Sequence, residues 1–205
     1  MTKQKSYHHG NLRESLLRAA ISLIAEVGPT AFTLREVARR AGVSHNAPYR
    51  HFPSKDDLMA AVAAEGYREL TVAMRRAGAR HARAVDRLKH AGLSYIEFAL
   101  QRPEHFAVMF DAPTATQHRE SAGPEGKEAF STLVELVAAA QQEKDLPEGD
   151  TQQFALLAWT MVHGVAKLAI TGRLPFRSTA AILRFASFVI DQSLPVTEGR
   201  SSSGT

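Results

Sequence analysis

An all-α fold follows from three features of the sequence. Apolar residues recur three and four positions apart along most of the chain. Helix caps and Gly/Pro breaks cut that pattern into helix-sized pieces, and no alternating strand pattern of any length competes.

The elements can be read in order. Leu12, Leu16, Ala20, Leu23 and Val27 stripe a first helix that Gly28-Pro29 stops. Thr33-Leu34-Arg35-Glu36 is a capping box, in which Thr33 accepts from the Glu36 amide while the Glu36 side chain reaches back. Leu34, Val37, Ala38 and Ala41 give the helix behind it one buried face, and Gly42 suits the left-handed residue that ends it. Ser44 is a good N-cap for a third helix to about Phe52. After Pro53, Ser54 caps a long fourth helix through Leu58, Val62, Tyr67, Leu70 and Met74 to near Gly78.

Alanine-rich helices are expected at 81–101 and at 103–110, the shorter one with Pro103 in its first position. Residues 111–123 read as a loop, and Pro124 restarts a helix carrying Phe130, Leu133, Val134, Val137 and Ala138. Asp150 with Gln153 caps the next, striped by Phe154, Leu157, Met161, Val165 and Leu168 and ended by Gly172. Ser178 opens the last, with Ile182, Phe185, Phe188 and Val189, and the tail VTEGRSSSGT is expected to be disordered.

The 205 residues include no cysteine, which excludes disulfides and cysteine-based metal sites or nucleophiles. Charge interrupts the apolar runs short of a membrane span, and MTKQKSYHHG lacks the apolar segment of a secretory signal, so the expected location is cytoplasmic, with no membrane partner. Charge is uneven: residues 1–55 hold nine Lys/Arg against three Glu, a net of +6, whereas the remainder is slightly acidic. A basic head on an acidic body suits contact with a polyanion.

Three short helices in that head, with only Gly42-Val43 between the second and third, match a helix-turn-helix. The second helix of such a unit enters the major groove of duplex DNA by its N-terminal part. Packing Val43 and Phe52 inward leaves Ser44, His45, Asn46, Arg50 and His51 for contact, while Tyr49 suits either the core or a phosphate. Asn pairs with adenine edges, Arg with guanine or phosphate, and hydroxyl and imidazole groups hold phosphates. The same residues also suit a surface helix of an adaptor that touches no DNA. Pro48 stands as a local cost: it lacks the N–H for the first intrahelical bond after Ser44, so Pro48→Leu is expected to add about 1 kcal/mol.

The segment TLREVARRAGVSHNAPYRHFPSKDDLMAAV, residues 33–62, resembles the DNA-binding part of the tetracycline-repressor (TetR) family of bacterial transcriptional regulators. That resemblance implies a helix-turn-helix domain at 11–55 and a helical effector-binding and dimerisation domain at 56–192. It places Thr33, Ser44, His45, Asn46, Ala47, Tyr49, Arg50, His51 and Lys55 at DNA-contact positions, with Thr33 and Lys55 at backbone phosphates. Ala47 and Pro48 depart from the Ser/Thr and Leu/Ile usual there. Trp159, His163 and Gly164 match the WHG type of C-terminal domain.

The resemblance further implies a homodimer, most often a repressor, bound to double-stranded DNA and released by a small, mostly apolar effector, without cofactor. Phe98, Phe106, Phe110, Trp159 and His163 are the expected effector lining, since aromatic bodies with a polar group make a typical small-molecule site. Val165, Leu168, Ile182, Phe185, Phe188 and Val189 are the expected dimer contacts. No enzyme is expected: there is no phosphate loop or nucleophile elbow, and His8, His9, His45, His51, His81, His90, His105, His118 and His163 show no metal-binding spacing.

Overall fold

The computed structural model describes residues 12–111 and 123–197. His8, His9, His118, the body of the expected loop and the end of the tail lie outside them. Helices run in the order α1 Leu12–Val27, α2 Leu34–Ala41, a 3₁₀ turn Pro48–Arg50, α3 Lys55–Gly78, α4 Ala84–Gln101 and α5 Pro103–Phe110. They continue with α6 Gly123–Gln142, α7 Thr151–Ile170 and α8 Thr179–Ser193. There is no strand among the described residues, so the protein is all-α.

The caps form as the local chemistry requires. Thr33 and Glu36 make the reciprocal box, with the Thr33 amide 2.7 Å from Glu36 Oε2. Gly42 ends α2 at φ 70°, a conformation with little cost only without a Cβ, and the Val43 amide closes back on the Ala38 carbonyl at 3.0 Å. Ser54 and Asp57 bond reciprocally at the start of α3. Asp150 accepts from the Gln152 and Gln153 amides, and Ser178 from that of Ala181. The Gln153 side chain donates to the Asp150 carboxylate instead of accepting from the Asp150 amide as a capping box requires.

Contacts divide the described chain into two compact units, 12–66 with 104–111 and 67–103 with 123–197. In unit 1, Leu16, Leu23 and Ile24 of α1 close on Phe32, Leu34, Val37, Phe52, Leu58, Val62 and Val108, all buried. In unit 2, α4 packs against α6, α7 and α8. Gly92 permits that closeness, because a Cβ there would lie 3.2 Å from Val162 and 3.3 Å from Ile190. The N-terminus of α4 is tied to the α6–α7 turn by polar bonds: Asp145 accepts from Arg83 at 2.7 Å and from the Val85 amide, while Glu143 accepts from the Ala84 amide and from Arg87.

Several sequence expectations are corrected. Ser44 to Phe52 is not an α-helix: two turn residues and a bend precede the short 3₁₀ element. α4 starts at Ala84, not near 81, and α6 at Gly123. Thr197, placed in a disordered tail, donates its amide to the Asp145 carbonyl at 2.9 Å. The statement that charge interrupts every apolar run short of a span fails for α7, whose length and hydropathy reach that of a membrane helix. Its Ala155, Ala158, Val162, Val165 and Ala166 are nonetheless buried in unit 2.

Candidate functional site

The segment after α2 owes its shape to Pro48. With no N–H at position 48, the Ser44 carbonyl takes its bond from Ala47 at 3.0 Å, a three-residue step. The Pro48 carbonyl then accepts from both His51 and Phe52, at 2.9 and 2.8 Å, completing one turn. The Pro48 ring and Phe52 are buried, and Val43 packs partly against the unit 1 core. Ser44, His45, Asn46, Arg50 and His51 are exposed, and Tyr49, which the sequence left between core and surface, is 47 % exposed. Ala47 is half-buried at the start of the 3₁₀ element. The result is a compact, polar, outward row on an apolar base.

The two residues expected at flanking phosphates are arranged differently. The Thr33 amide and hydroxyl both donate to Glu36 Oε2, and those bonds hold the Glu36 carboxyl below its usual range. Lys55 points inward. Its ammonium donates to the Thr30 and Phe32 carbonyls at 2.8 and 2.9 Å and lies 4.2 Å from the Phe32 ring centre, and burial lowers its pKa. Sequence spacing carries no sign of this, because the acceptors are carbonyls of the α1–α2 turn.

The expected effector residues are divided between the units. Phe106 and Phe110 meet in unit 1 with ring centres 4.7 Å apart. In unit 2, Trp159 and His163 flank Tyr95, which sequence reading missed. Tyr95 Oη lies 2.8 Å from His163 Nδ1 and 3.4 Å from Trp159 Nε1, which donates to it. Burial raises the pKa of the phenol. The Phe130 ring meets Trp159 edge-on. Phe98 is buried elsewhere in the unit, at an open cavity of about 290 Å³ where Glu69, Arg76, Arg80, Glu97 and Arg102 make up half of the lining residues.

The expected dimer contacts also separate. Val165 and Ile182 are buried within unit 2, and Phe185 stacks at a tilt on Phe176 of the same unit, with ring centres 5.2 Å apart. Val189 is half-buried. Leu168 and Phe188 remain exposed, Phe188 by 59 %, joined on α7 by Leu156 and Leu157. Among the described residues, no group of three or more His, Asp or Glu is placed to hold a metal ion.

Comparison with known proteins gives the family and the fold. The family described as "Bacterial regulatory proteins, tetR family" matches residues 16–62, and "Tetracyclin repressor-like, C-terminal domain" matches residues 88–192. A protein of unknown function from Rhodococcus sp. RHA1 is 34% identical, with TM-score 0.78 over 93% of this chain and 99% of its own. A tetR-family regulatory protein from Rhodococcus RHA1 is 19% identical, with TM-score 0.71 over 91% and 98%. The transcriptional regulator FadR from Bacillus subtilis, solved with stearoyl-CoA, is 14% identical, with TM-score 0.74 over 90% and 99%.

Proposed function

Because the chain belongs to the tetR family of bacterial regulatory proteins, we propose that it is a homodimeric transcriptional repressor that binds a roughly palindromic operator and is released by a small effector. The observation that carries the reading is the exposed row Ser44, His45, Asn46, Tyr49, Arg50 and His51 on a base made by Pro48 and Phe52. Asn46 and Arg50 supply side chains able to read base edges, and the hydroxyl and imidazole groups suit phosphates.

One such turn is too short to read a site alone, so a second copy is needed. The outward faces of α7 and α8 suit it: Leu156, Leu157, Leu168 and Phe188 are exposed. Gly164 supports the same reading. A Cβ there would meet nothing within 4 Å, so no neighbour in its own chain requires the glycine, although glycine inside a helix costs about 1 kcal/mol relative to alanine. Close approach by a partner helix accounts for it, and would cover the exposed leucines as a four-helix packing.

For the effector, the Trp159–Tyr95–His163 cluster offers a polar anchor beside aromatic surface. A fold relative that holds stearoyl-CoA makes long acyl chains the first compounds to try. Release follows by population shift: a ligand lowers operator affinity only by its preference for the conformation in which the paired recognition turns no longer match the half-sites. The test is a titration of Trp159 fluorescence with acyl compounds alongside operator release. A saturable change in both supports the reading. Release with a flat signal, unaltered in Trp159→Phe, moves the effector site elsewhere. Absence of any salt-dependent duplex binding leaves a helical adaptor in place of a regulator.

A further inference from the structure

The cavity beside Phe98 shares no residue with the recognition turn, the exposed faces of α7 and α8 or the Trp159–Tyr95–His163 cluster. It lies within unit 2, between one face of α3 and one face of α4. Half-buried Ala73 and Ala77 and the buried Phe98 ring form an apolar floor, and Arg76, Arg80 and Glu97 stand exposed at the rim. Arg76 and Arg80 are four positions apart and so share one flank of α3.

The charges of the rim are unevenly satisfied. Arg102 is taken up by Glu69, with Nε 3.1 Å from Oε2, and Glu97 accepts from the Gln101 amide at 3.2 Å. On another face of α3, Arg68 and Arg75 pair with Glu125 and Glu128 of α6. Arg76 and Arg80 make no hydrogen bond or ion pair among the described residues. The lining thus holds three arginines against two glutamates, a net of +1, with two guanidiniums uncommitted.

We propose that this groove is a binding site for a small organic anion, a carboxylate or a phosphate ester carried on a compact apolar body. The two guanidiniums offer planar donor forks to the paired oxygens of such a group. Ala73, Ala77 and Phe98 receive the apolar part, and a volume of about 290 Å³ limits that part to a single ring or a short alkyl chain. An inorganic anion would leave the floor unused, and a neutral ligand would leave the arginines unused. Glu97 opposes any anion held there and so favours a singly charged one.

Calorimetric titration of the full chain at low salt, with benzoate and with phenyl phosphate, tests the site, and the tighter of the two identifies the headgroup it takes. Saturable one-to-one binding is expected, about tenfold weaker in Arg76→Ala and in Arg80→Ala, the loss typical of a charge-assisted hydrogen bond. Arg75→Ala removes the same charge from α3 outside the cavity and is expected to bind as the wild type does. Ala77→Leu is expected to abolish binding by filling the floor, and the arginine variants carry the comparison if it does not fold. Glu97→Gln is expected to tighten binding a few-fold, and Trp159→Phe to leave it unchanged. No saturable binding of either probe overturns the proposal. So does binding that survives both Arg76→Ala and Arg80→Ala, or an equal loss in Arg75→Ala, which would mean that only the general charge of α3 attracts the anion. Binding lost in Trp159→Phe also overturns it, by placing the probe at the aromatic cluster.

Discussion

Replacing Pro48 by alanine tests how the recognition turn is built. The ring is buried on the unit 1 side, and its carbonyl accepts two amides. Removing two ring carbons forfeits about 0.8 kcal/mol each in transfer free energy, or about 1.6 kcal/mol. Freeing the unfolded chain at this position costs about 0.4–1 kcal/mol more. The restored N–H gains little, because the Ser44 carbonyl already accepts from Ala47. The variant is expected to lose about 2 kcal/mol in total and to melt about 4–8 °C lower, by the usual scaling for a chain of this length. Pro48→Leu, for which the sequence alone suggests a gain, is expected to lose stability too, through the strain of overfilling a closed site. Thermal and urea melts followed by circular dichroism measure both. Either variant melting at or above the wild type would refute the reasoning and restore the proline as a local cost.

Other consequences follow from the same geometry. Gly164→Leu is expected to split the dimer while the isolated helix gains stability, as is Phe188→Glu; sedimentation at micromolar concentration would show the monomer mass, and an unchanged dimer in both removes α7 and α8 from the interface. His105 is buried with neither ring nitrogen hydrogen-bonded and Glu65 3.7 Å away, so His105→Leu is expected to raise stability by about 1 kcal/mol; a lower melting temperature would mean that the imidazole has a partner. Arg83, with the Val85 amide, holds the Asp145 carboxyl below its usual range, and the Ala84 amide and Arg87 do so for Glu143. Depressed folded values mean stability present above the unfolded carboxylate pKa and lost as pH falls through the folded one. Acid unfolding is therefore expected to set in below about pH 4 and to be shallower in Asp145→Asn, with pH-dependent melts as the check.

Features governed by a few neighbouring residues were legible in the sequence. The Thr33–Glu36 box, the left-handed Gly42 and the Asp150 and Ser178 caps depend on chemistry within one turn. Pro48 gave a correct local warning, but its outcome depends on burial of the ring, which no nearby residue encodes. Thr33 donates to Glu36 within one turn, as its spacing suggests, whereas the carbonyls that Lys55 donates to, on Thr30 and Phe32, lie 25 and 23 positions away and no spacing encodes them. Tyr95 looks like any aromatic on a core helix, because its partner His163 lies 68 positions away. On α7 and α8, periodicity identifies apolar positions without saying which face is inward. Val165 and Ile182 went in, while Leu168 and Phe188 stayed out.

The central claim is that two copies present these turns together to a two-fold operator. Selection of bound fragments from genomic DNA by the purified protein tests it most directly. The account predicts recovered fragments sharing an inverted repeat, with half-site centres about 34 Å apart or somewhat more, and loss of that enrichment in Phe188→Glu. Fragments with no shared two-fold motif, or equal enrichment by a variant shown to be monomeric, would contradict it.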